Sequence, residues 1–80
     1  MEPAVAFGKV LRQLRQEAGL TQEELGFEAD LRRTYVSILE LGQQQPSLTT
    51  ILKLAAALDS SGSTLIGMVE SELVATKRKR

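Results

Sequence analysis

Residues 21–42 constrain the fold more than any other part of the chain. Thr21 precedes Glu24 by three positions, which is the spacing of a capping box that starts a helix. This helix is short, about residues 21–29, because Asp30 interrupts its apolar pattern. A tight turn at 30–32 and a second helix at about 33–41 follow, and Gly42 ends the second helix. The segment therefore predicts two short helices joined by a three-residue turn.

The rest of the chain is also divided into helices. One apolar stripe predicts a helix over 4–18, and its members are Phe7, Val10, Leu11, Leu14 and Ala18. Ser47 is a good cap for a helix at about 48–58, and Ser63 or Thr64 can cap a last helix that ends near Leu73. Because no stretch alternates with period two, we predict a compact all-α fold of five helices.

Size and composition limit what this fold can do. Eighty residues allow one domain, for which we expect residues 1–74, followed by a flexible basic tail at 75–80. The chain has no cysteine and no histidine, which removes thiol nucleophiles, the commonest metal ligand and the commonest general base. We therefore expect no enzyme activity, no metal and no cofactor. No apolar run approaches the roughly 18 residues of a membrane span, and the N-terminus is not a signal peptide, so we expect a cytoplasmic protein.

The pair of short helices meets the packing demands of a helix-turn-helix unit at about 22–41. Apolar residues stand at the positions that must face inward, and these are Leu25, Ala29, Leu31, Val36 and Leu39. Gly26 supplies the small residue where the two helices cross closely. Agreement at all these positions is more demanding than a match to a single short motif.

Several motifs of this chain resemble those of the phage-repressor family of helix-turn-helix proteins, the lambda repressor/Cro or XRE type. They are Gln22-Glu-Glu-Leu25, Tyr35-Val36-Ser37, Leu39-Glu40, Gly42 and Pro46-Ser47-Leu48. The resemblance covers about residues 7–73 and implies a five-helix DNA-binding domain that acts as a dimeric transcriptional regulator. Departures from the family pattern are Asp30 where glycine is favoured in the turn, Arg32 at the cap, and Gly26 in place of alanine.

The second helix of the unit would then read DNA in the major groove. Its outward residues, the expected base contacts, are Arg33, Thr34, Ser37 and Ile38. Arg33 suits a guanine edge and Ile38 a thymine methyl, although Arg33 could instead bind phosphate or a nearby acid, and Ile38 could be an ordinary surface residue. Expected phosphate contacts are Gln22, Arg32, Tyr35, Gln43, Gln44 and Gln45, of which the three consecutive glutamines could also form a solvated loop.

Glu40 lies on the inward side of this helix and needs a partner for its charge. Arg15 is the candidate, and the family resemblance implies the same pair. We expect the pair to orient the reading helix.

The charge distribution is unusual for a DNA-binding protein. Residues 1–76 carry six basic and ten acidic residues, a net charge of −4, and the last four residues are all basic. The tail could be a mobile cationic arm or only a solubilising end. Few charged phosphate contacts are therefore expected in each subunit.

An apolar face on the last helix, at about 64–73, predicts a homodimer. Its residues are Leu65, Ile66, Met68, Val69 and Leu73. We expect a regulator, with repression as the favoured sign, that binds a palindromic operator on double-stranded DNA. The alternative is an antitoxin or adaptor on the same fold, and RNA polymerase or a toxin-like protein is a further candidate partner.

Overall fold

A computed structural model describes the backbone of residues 1–78 and the side chains of residues 1–76, and these residues contain five helices. The helices are α1 (Pro3–Glu17), α2 (Gln22–Ala29), α3 (Arg33–Glu40), α4 (Leu48–Ala57) and α5 (Gly62–Arg78). Residues 1–78 contain no β-strand, and the all-α prediction is confirmed. No helix in this part of the chain has the length and apolar character needed to cross a membrane.

Side-chain caps set the starts of α2 and α4 where the sequence predicts them. The Thr21 hydroxyl accepts from the Glu24 amide at 3.0 Å, and the Glu24 carboxylate accepts from the Thr21 amide at 2.9 Å. At α4, the Ser47 hydroxyl accepts from the Thr50 amide at 3.1 Å. Each cap satisfies backbone donors that the first turn of a helix leaves without partners.

The last helix starts earlier and ends later than the sequence pattern predicts. Its cap is Ser61 rather than Ser63 or Thr64, because the Ser61 hydroxyl accepts from the Thr64 amide at 3.2 Å. At the other end the helix passes Leu73 and continues to Arg78, so residues 75–78 are helical where the sequence predicts a tail. No helix breaker stands after Leu73, and alanine, lysine and arginine are good helix formers. Residues 79 and 80 lie outside the described residues.

One apolar core lies where all five helices meet, and it contains the fully buried Leu11, Leu25, Leu39, Leu54 and Leu65. α1 packs against α3 and α5, while α2 packs against α3 and α4. Gly8 of α1 allows a close approach to α3. A Cβ placed on Gly8 would lie 2.5 Å from the carbonyl oxygen of Leu39 and 2.6 Å from that of Glu40. The backbone of α1 therefore touches the C-terminal end of α3 directly.

Candidate DNA-binding surface

The turn between α2 and α3 fixes the angle between these two helices. Asp30 adopts a left-handed conformation, with φ 57° and ψ 47°, a region that Asp tolerates better than most residues other than glycine. The Leu31 amide donates to the Gly26 carbonyl at 2.8 Å. A Cβ on Gly26 would lie 2.7 Å from the Leu31 carbonyl oxygen. Glycine at this position therefore allows the turn to pack directly against α2.

α3 has one buried face and one open face. Val36 and Leu39 are fully buried and hold the helix against the core. Arg33 and Thr34, in the first turn of α3, are exposed, whereas Ser37 and Ile38, one turn later, are half-buried. The four residues that the sequence predicts as base contacts therefore lie on the side of the helix that the core leaves open, and the N-terminal turn is the more accessible part.

The residues predicted to contact phosphates differ in how exposed their side chains are. Arg32, the N-cap residue of α3, is exposed, and so are the three glutamines at 43–45. Tyr35 is half-buried and packs against the core. Gln22 is half-buried at the start of α2, where its amide nitrogen donates to Glu40 Oε1 at 3.1 Å. The sequence does not indicate this last bond, because the angle between α2 and α3 decides whether Gln22 reaches Glu40.

Arg15 and Glu40 form a nearly buried ion pair that joins α1 to the end of α3. The Nε and Nη2 atoms of Arg15 donate to Glu40 Oε2 at 2.6 Å and to Oε1 at 3.0 Å. Arg15 Nη1 also donates to the Leu20 carbonyl at 2.9 Å. The exposed fractions of the two side chains are only 12% and 3%. The pair is therefore the one that the sequence predicts, and it includes a contact to the α1–α2 linker that the sequence does not indicate.

Hydrogen bonding to Glu40 raises the pKa of Arg15, and the negative charge of Glu40 acts in the same direction, against the opposing effect of burial. Arginine is already protonated at all ordinary pH values. The guanidinium therefore keeps its donors, and the carboxylate keeps a permanently charged partner.

A shallow notch lies between the start of α2 and the start of α3. It is lined by Arg15, Thr21, Gln22, Glu23 and Arg33. Two of these side chains, Arg33 and Gln22, are predicted DNA contacts, and the side chain of Gln22 is held by Glu40. The notch thus brings a predicted base contact and a predicted phosphate contact to one place on the surface.

The apolar face of α5 is divided between the core and the surface, and this revises the predicted dimer interface. Leu65 and Val69 have exposed fractions of 0% and 7% and belong to the core of the protomer. Met68 and Leu73 are half-buried against that core, and Ile66 is 41% exposed. Leu65 and Val69 are therefore not accessible to a second copy of the chain, because the core of the protomer already buries them.

Exposed apolar side chains also occur on α4, where it packs against the start of α5, and the sequence pattern does not reveal this. Gly62, one turn before Ile66, lies against Leu52, with 3.0 Å between an added Cβ and a Leu52 methyl carbon. Leu52 is 53% exposed, and Leu48, one turn earlier on α4, is 72% exposed. We call Leu48, Leu52 and Ile66 the α4–α5 apolar surface. The sequence does not predict that these residues of α4 and α5 are neighbours, because it does not give the direction of the loop between the two helices.

A protein-family model described as helix-turn-helix matches residues 11–65 of this chain. Control protein C.BamHI of Bacillus amyloliquefaciens is 45% identical over 53 residues, which make up 65% of each chain and so slightly less than two thirds of that relative. Control protein C.MunI of a Mycoplasma species is 38% identical over 69 residues, which cover 85% of this chain and 93% of the relative.

Among solved structures, the restriction-modification controller protein C.AhdI of Aeromonas hydrophila is 50% identical with a TM-score of 0.75. The match covers 78% of this chain and 94% of that protein. The family model includes α2, the turn and α3 in full, and the structural match extends the likeness to most of the five-helix fold. The chain therefore belongs to the helix-turn-helix family, in its XRE-type, phage-repressor-like form, and is a DNA-binding transcriptional regulator rather than an enzyme.

Proposed function

We propose that this regulator binds a palindromic operator on double-stranded DNA as a homodimer and represses transcription from it. In this proposal residues 1–74 form the binding domain, and the N-terminal half of α3 enters the major groove. The observation that carries the proposal is the placement of α3. Val36 and Leu39 are buried while Arg33 and Thr34 are exposed, so the helix is held firmly with its open side outward.

The exposed chemistry of α3 suits base recognition. Arg33 can donate two hydrogen bonds to the O6 and N7 atoms of guanine, and the hydroxyls of Thr34 and Ser37 can bond to several bases. Ile38 can pack against a thymine methyl group. Since Arg33 and Thr34 are exposed and the other two are half-buried, the first two are the expected source of most of the sequence preference.

Phosphate contacts would position the helix. Arg32 supplies a charge, Gln22 and the glutamines at 43–45 supply neutral donors, and the Tyr35 hydroxyl supplies one more. Only six basic residues occur before residue 77, and Arg15 is occupied by Glu40. Binding should therefore depend on salt less steeply than in a strongly basic DNA-binding domain.

A homodimer would place two copies of α3 about one turn of DNA apart, roughly 34 Å, to match the two halves of a palindrome. The α4–α5 apolar surface supports an interface in which Ile66, Met68 and Leu73 remain from the predicted set and Leu48 and Leu52 are added. A two-fold contact of this kind uses the same apolar surface on both copies.

The names of the relatives suggest which genes are controlled. Two are control proteins and one is described as a restriction-modification controller. We extend this to the chain as a proposal, with the cytoplasm and its nucleoid DNA as the place of action. A protein partner, either RNA polymerase or a toxin-like protein, is a second candidate that the acidic residues of α2 favour.

Selection of bound duplexes from a random pool, with the full chain at moderate salt, tests the proposal. The expected result is one enriched palindrome whose half-sites are separated by about 10 base pairs between centres or a multiple of it. Enrichment of a single non-repeated half-site would contradict the dimer, and the absence of any enriched sequence would contradict specific DNA binding.

A further inference from the structure

Leu41 is a large apolar side chain at the C-terminal end of α3, and it is 64% exposed. Most of its surface therefore stays in contact with water, and the favourable contribution that a buried leucine makes is absent. Among the described side chains it belongs neither to the core nor to the apolar residues packed against the core. The fold of the protomer therefore does not explain why a leucine stands at this position.

Leu41 extends the open face of α3 by one turn. Its amide donates to the Ser37 carbonyl at 3.0 Å, and its backbone angles are still helical. Residues three or four positions apart lie on the same face of a helix. Leu41 follows Ser37 by four positions and Ile38 by three, and Ile38 follows Thr34 by four. Leu41 therefore shares a face with three of the predicted base contacts.

The backbone that carries Leu41 is firmly supported. Gly42, the next residue, has a φ of 73° and turns the chain away from the helix. A Cβ on Gly42 would lie 2.9 Å from the Cα atom of Val5, so this turn lies directly against α1. On the other side of Leu41, Leu39 is fully buried. A side chain on such a backbone loses less conformational freedom when it binds a ligand than one on a loose loop.

The open face of α3 has a polar half and an apolar half. Arg33, Thr34 and Ser37 form the polar half, and Ile38 and Leu41 form the apolar half. In the major groove, base pairs present hydrogen-bond donors and acceptors, and the apolar group that they present is the C5-methyl group of thymine. α3 has eight residues, which makes it about 12 Å long, similar to the width of the major groove. Both halves of the face can therefore lie in one groove.

We propose that Leu41 determines DNA specificity by packing against the C5-methyl group of a thymine in each half-site. This inference rests on the proposed function and adds to it a residue and a base at the opposite end of α3 from Arg33. Leu41 follows Arg33 by eight positions, or about 12 Å along the helix. Because base pairs are stacked about 3.4 Å apart, the thymine lies about three to four base pairs from the guanine that Arg33 reads.

Other contacts suit Leu41 less well. Phosphate oxygens and the polar edges of bases need hydrogen-bonding groups, and a leucine side chain has none. A second copy of the chain packed on Leu41 would also cover Thr34 and Ser37, since they share its face, and would take the reading surface out of use. The α4–α5 apolar surface contains no residue of α3, so a dimer formed there leaves Leu41 available to DNA.

Uracil substitution in the selected operator tests the inference on the full chain. Deoxyuridine pairs as thymidine does and lacks only the methyl group. With one thymine of each half-site replaced at a time, the parent should bind about fourfold more weakly at the position that Leu41 reads, which is the effect of one methyl group removed from an apolar contact. Leu41→Ala should bind the thymine duplex and this uracil duplex equally well.

Two controls separate this contact from general effects. Val74→Ala removes another exposed apolar side chain, 49% exposed on α5, and should keep the full uracil effect. Leu41→Ala should unfold at the temperature of the parent, because a mostly exposed side chain contributes little to stability. A parallel selection from duplexes that contain 5-methylcytosine examines the other source of the same methyl group. Enrichment of methylated cytosine at this position, with no preference for thymine in the ordinary pool, would overturn the assignment to thymine.

Three further results would overturn the inference. The first is an operator in which no uracil substitution weakens the parent, and the second is a Leu41→Ala protein that keeps the uracil effect. The third is a Leu41→Ala protein that binds thymine and uracil duplexes more weakly than the parent by the same factor, because Leu41 would then contact the sugar–phosphate backbone. A parent that selects an operator without any uracil effect contradicts this inference alone, whereas a parent that selects no duplex contradicts the proposed function as well.

Discussion

The Arg15 guanidinium and the Glu40 carboxylate face each other through two hydrogen bonds, Nε to Oε2 at 2.6 Å and Nη2 to Oε1 at 3.0 Å. Glu40 is the last residue of α3, and Arg15 lies near the end of α1. Gln22, at the first position of α2, donates to the same carboxylate. One acidic side chain therefore joins the first three helices at the edge of the proposed DNA surface.

Removing one partner of this pair should destabilise the fold strongly. Glu40→Ala leaves the 12%-exposed Arg15 without its carboxylate, and a buried pair broken in this way costs about 3–5 kcal/mol of unfolding free energy. Unfolding in urea measures the loss, and DNA affinity should fall as well because α3 loses its tie to α1.

Two controls accompany this prediction. The double variant Arg15→Met/Glu40→Leu removes both charges and should recover much of the stability. Lys9→Met breaks the exposed contact of Lys9 with Glu72, which measures 3.9 Å, and should change stability by less than about 0.5 kcal/mol. A Glu40→Ala variant that unfolds and binds DNA like the parent would show that the pair has no structural role.

The close approach at Gly8 predicts a second large effect. Gly8→Ala would place a Cβ 2.5 Å from the Leu39 carbonyl oxygen and 2.6 Å from that of Glu40. The helices must separate, at a cost of about 1–3 kcal/mol, even though alanine is the better helix former. Gly67→Ala is the matched control, because no atom lies within 4 Å of its added Cβ, and it should raise stability by up to about 1 kcal/mol. Thermal unfolding of the two variants should show opposite shifts, and equal shifts would refute the steric argument.

Arg32 is the natural test of the phosphate contacts. Arg32→Ala should weaken binding by a similar factor for all DNA sequences and reduce the slope of log affinity against log salt by about one for each Arg32 lost. Fluorescence anisotropy at several salt concentrations measures both effects. A changed base preference with an unchanged slope would mean that Arg32 reads bases instead.

The α4–α5 apolar surface predicts how the dimer can be broken. Ile66→Glu or Leu52→Glu would put a charge into the proposed interface, and burying an unpaired charge is costly. Both variants should sediment as folded monomers and bind the palindrome weakly. Val74→Glu, a matched change elsewhere on α5, should stay dimeric. If Ile66→Glu and Leu52→Glu both remain dimeric, this interface is ruled out.

Local signals explain how much of the fold the sequence predicts. Thr21 and Ser47 start α2 and α4 as predicted, because a cap acts on an amide only three residues away. The start of α5 at Ser61 is less predictable, since several hydroxyl residues follow one another there. Its end at Arg78 depends on the lack of a breaker after Leu73, and a basic run with no apolar pattern resembles a tail.

The sequence predicts contacts between helices less well than it predicts where each helix starts and ends. The role of Gly8 depends on the distance to α3, and the bond from Gln22 to Glu40 depends on the angle between α2 and α3. Leu65 and Ile66 are adjacent apolar residues, yet the first is fully buried and the second is 41% exposed. Only the packing of α1 and α4 against α5 decides which of the two a partner could reach.

Duplex selection repeated with Arg33→Ala tests the central claim, that the exposed start of α3 reads the bases of an operator. The parent should enrich a palindrome with a strongly preferred base pair, guanine on one strand, at one position in each half-site. Arg33→Ala should lose the preference at that position, with a cost of about 1–3 kcal/mol for the intact operator, and should keep the preferences elsewhere. An Arg33→Ala protein that selects the parent's sequence unchanged would contradict direct reading by Arg33 and, with it, the proposed orientation of α3 on DNA.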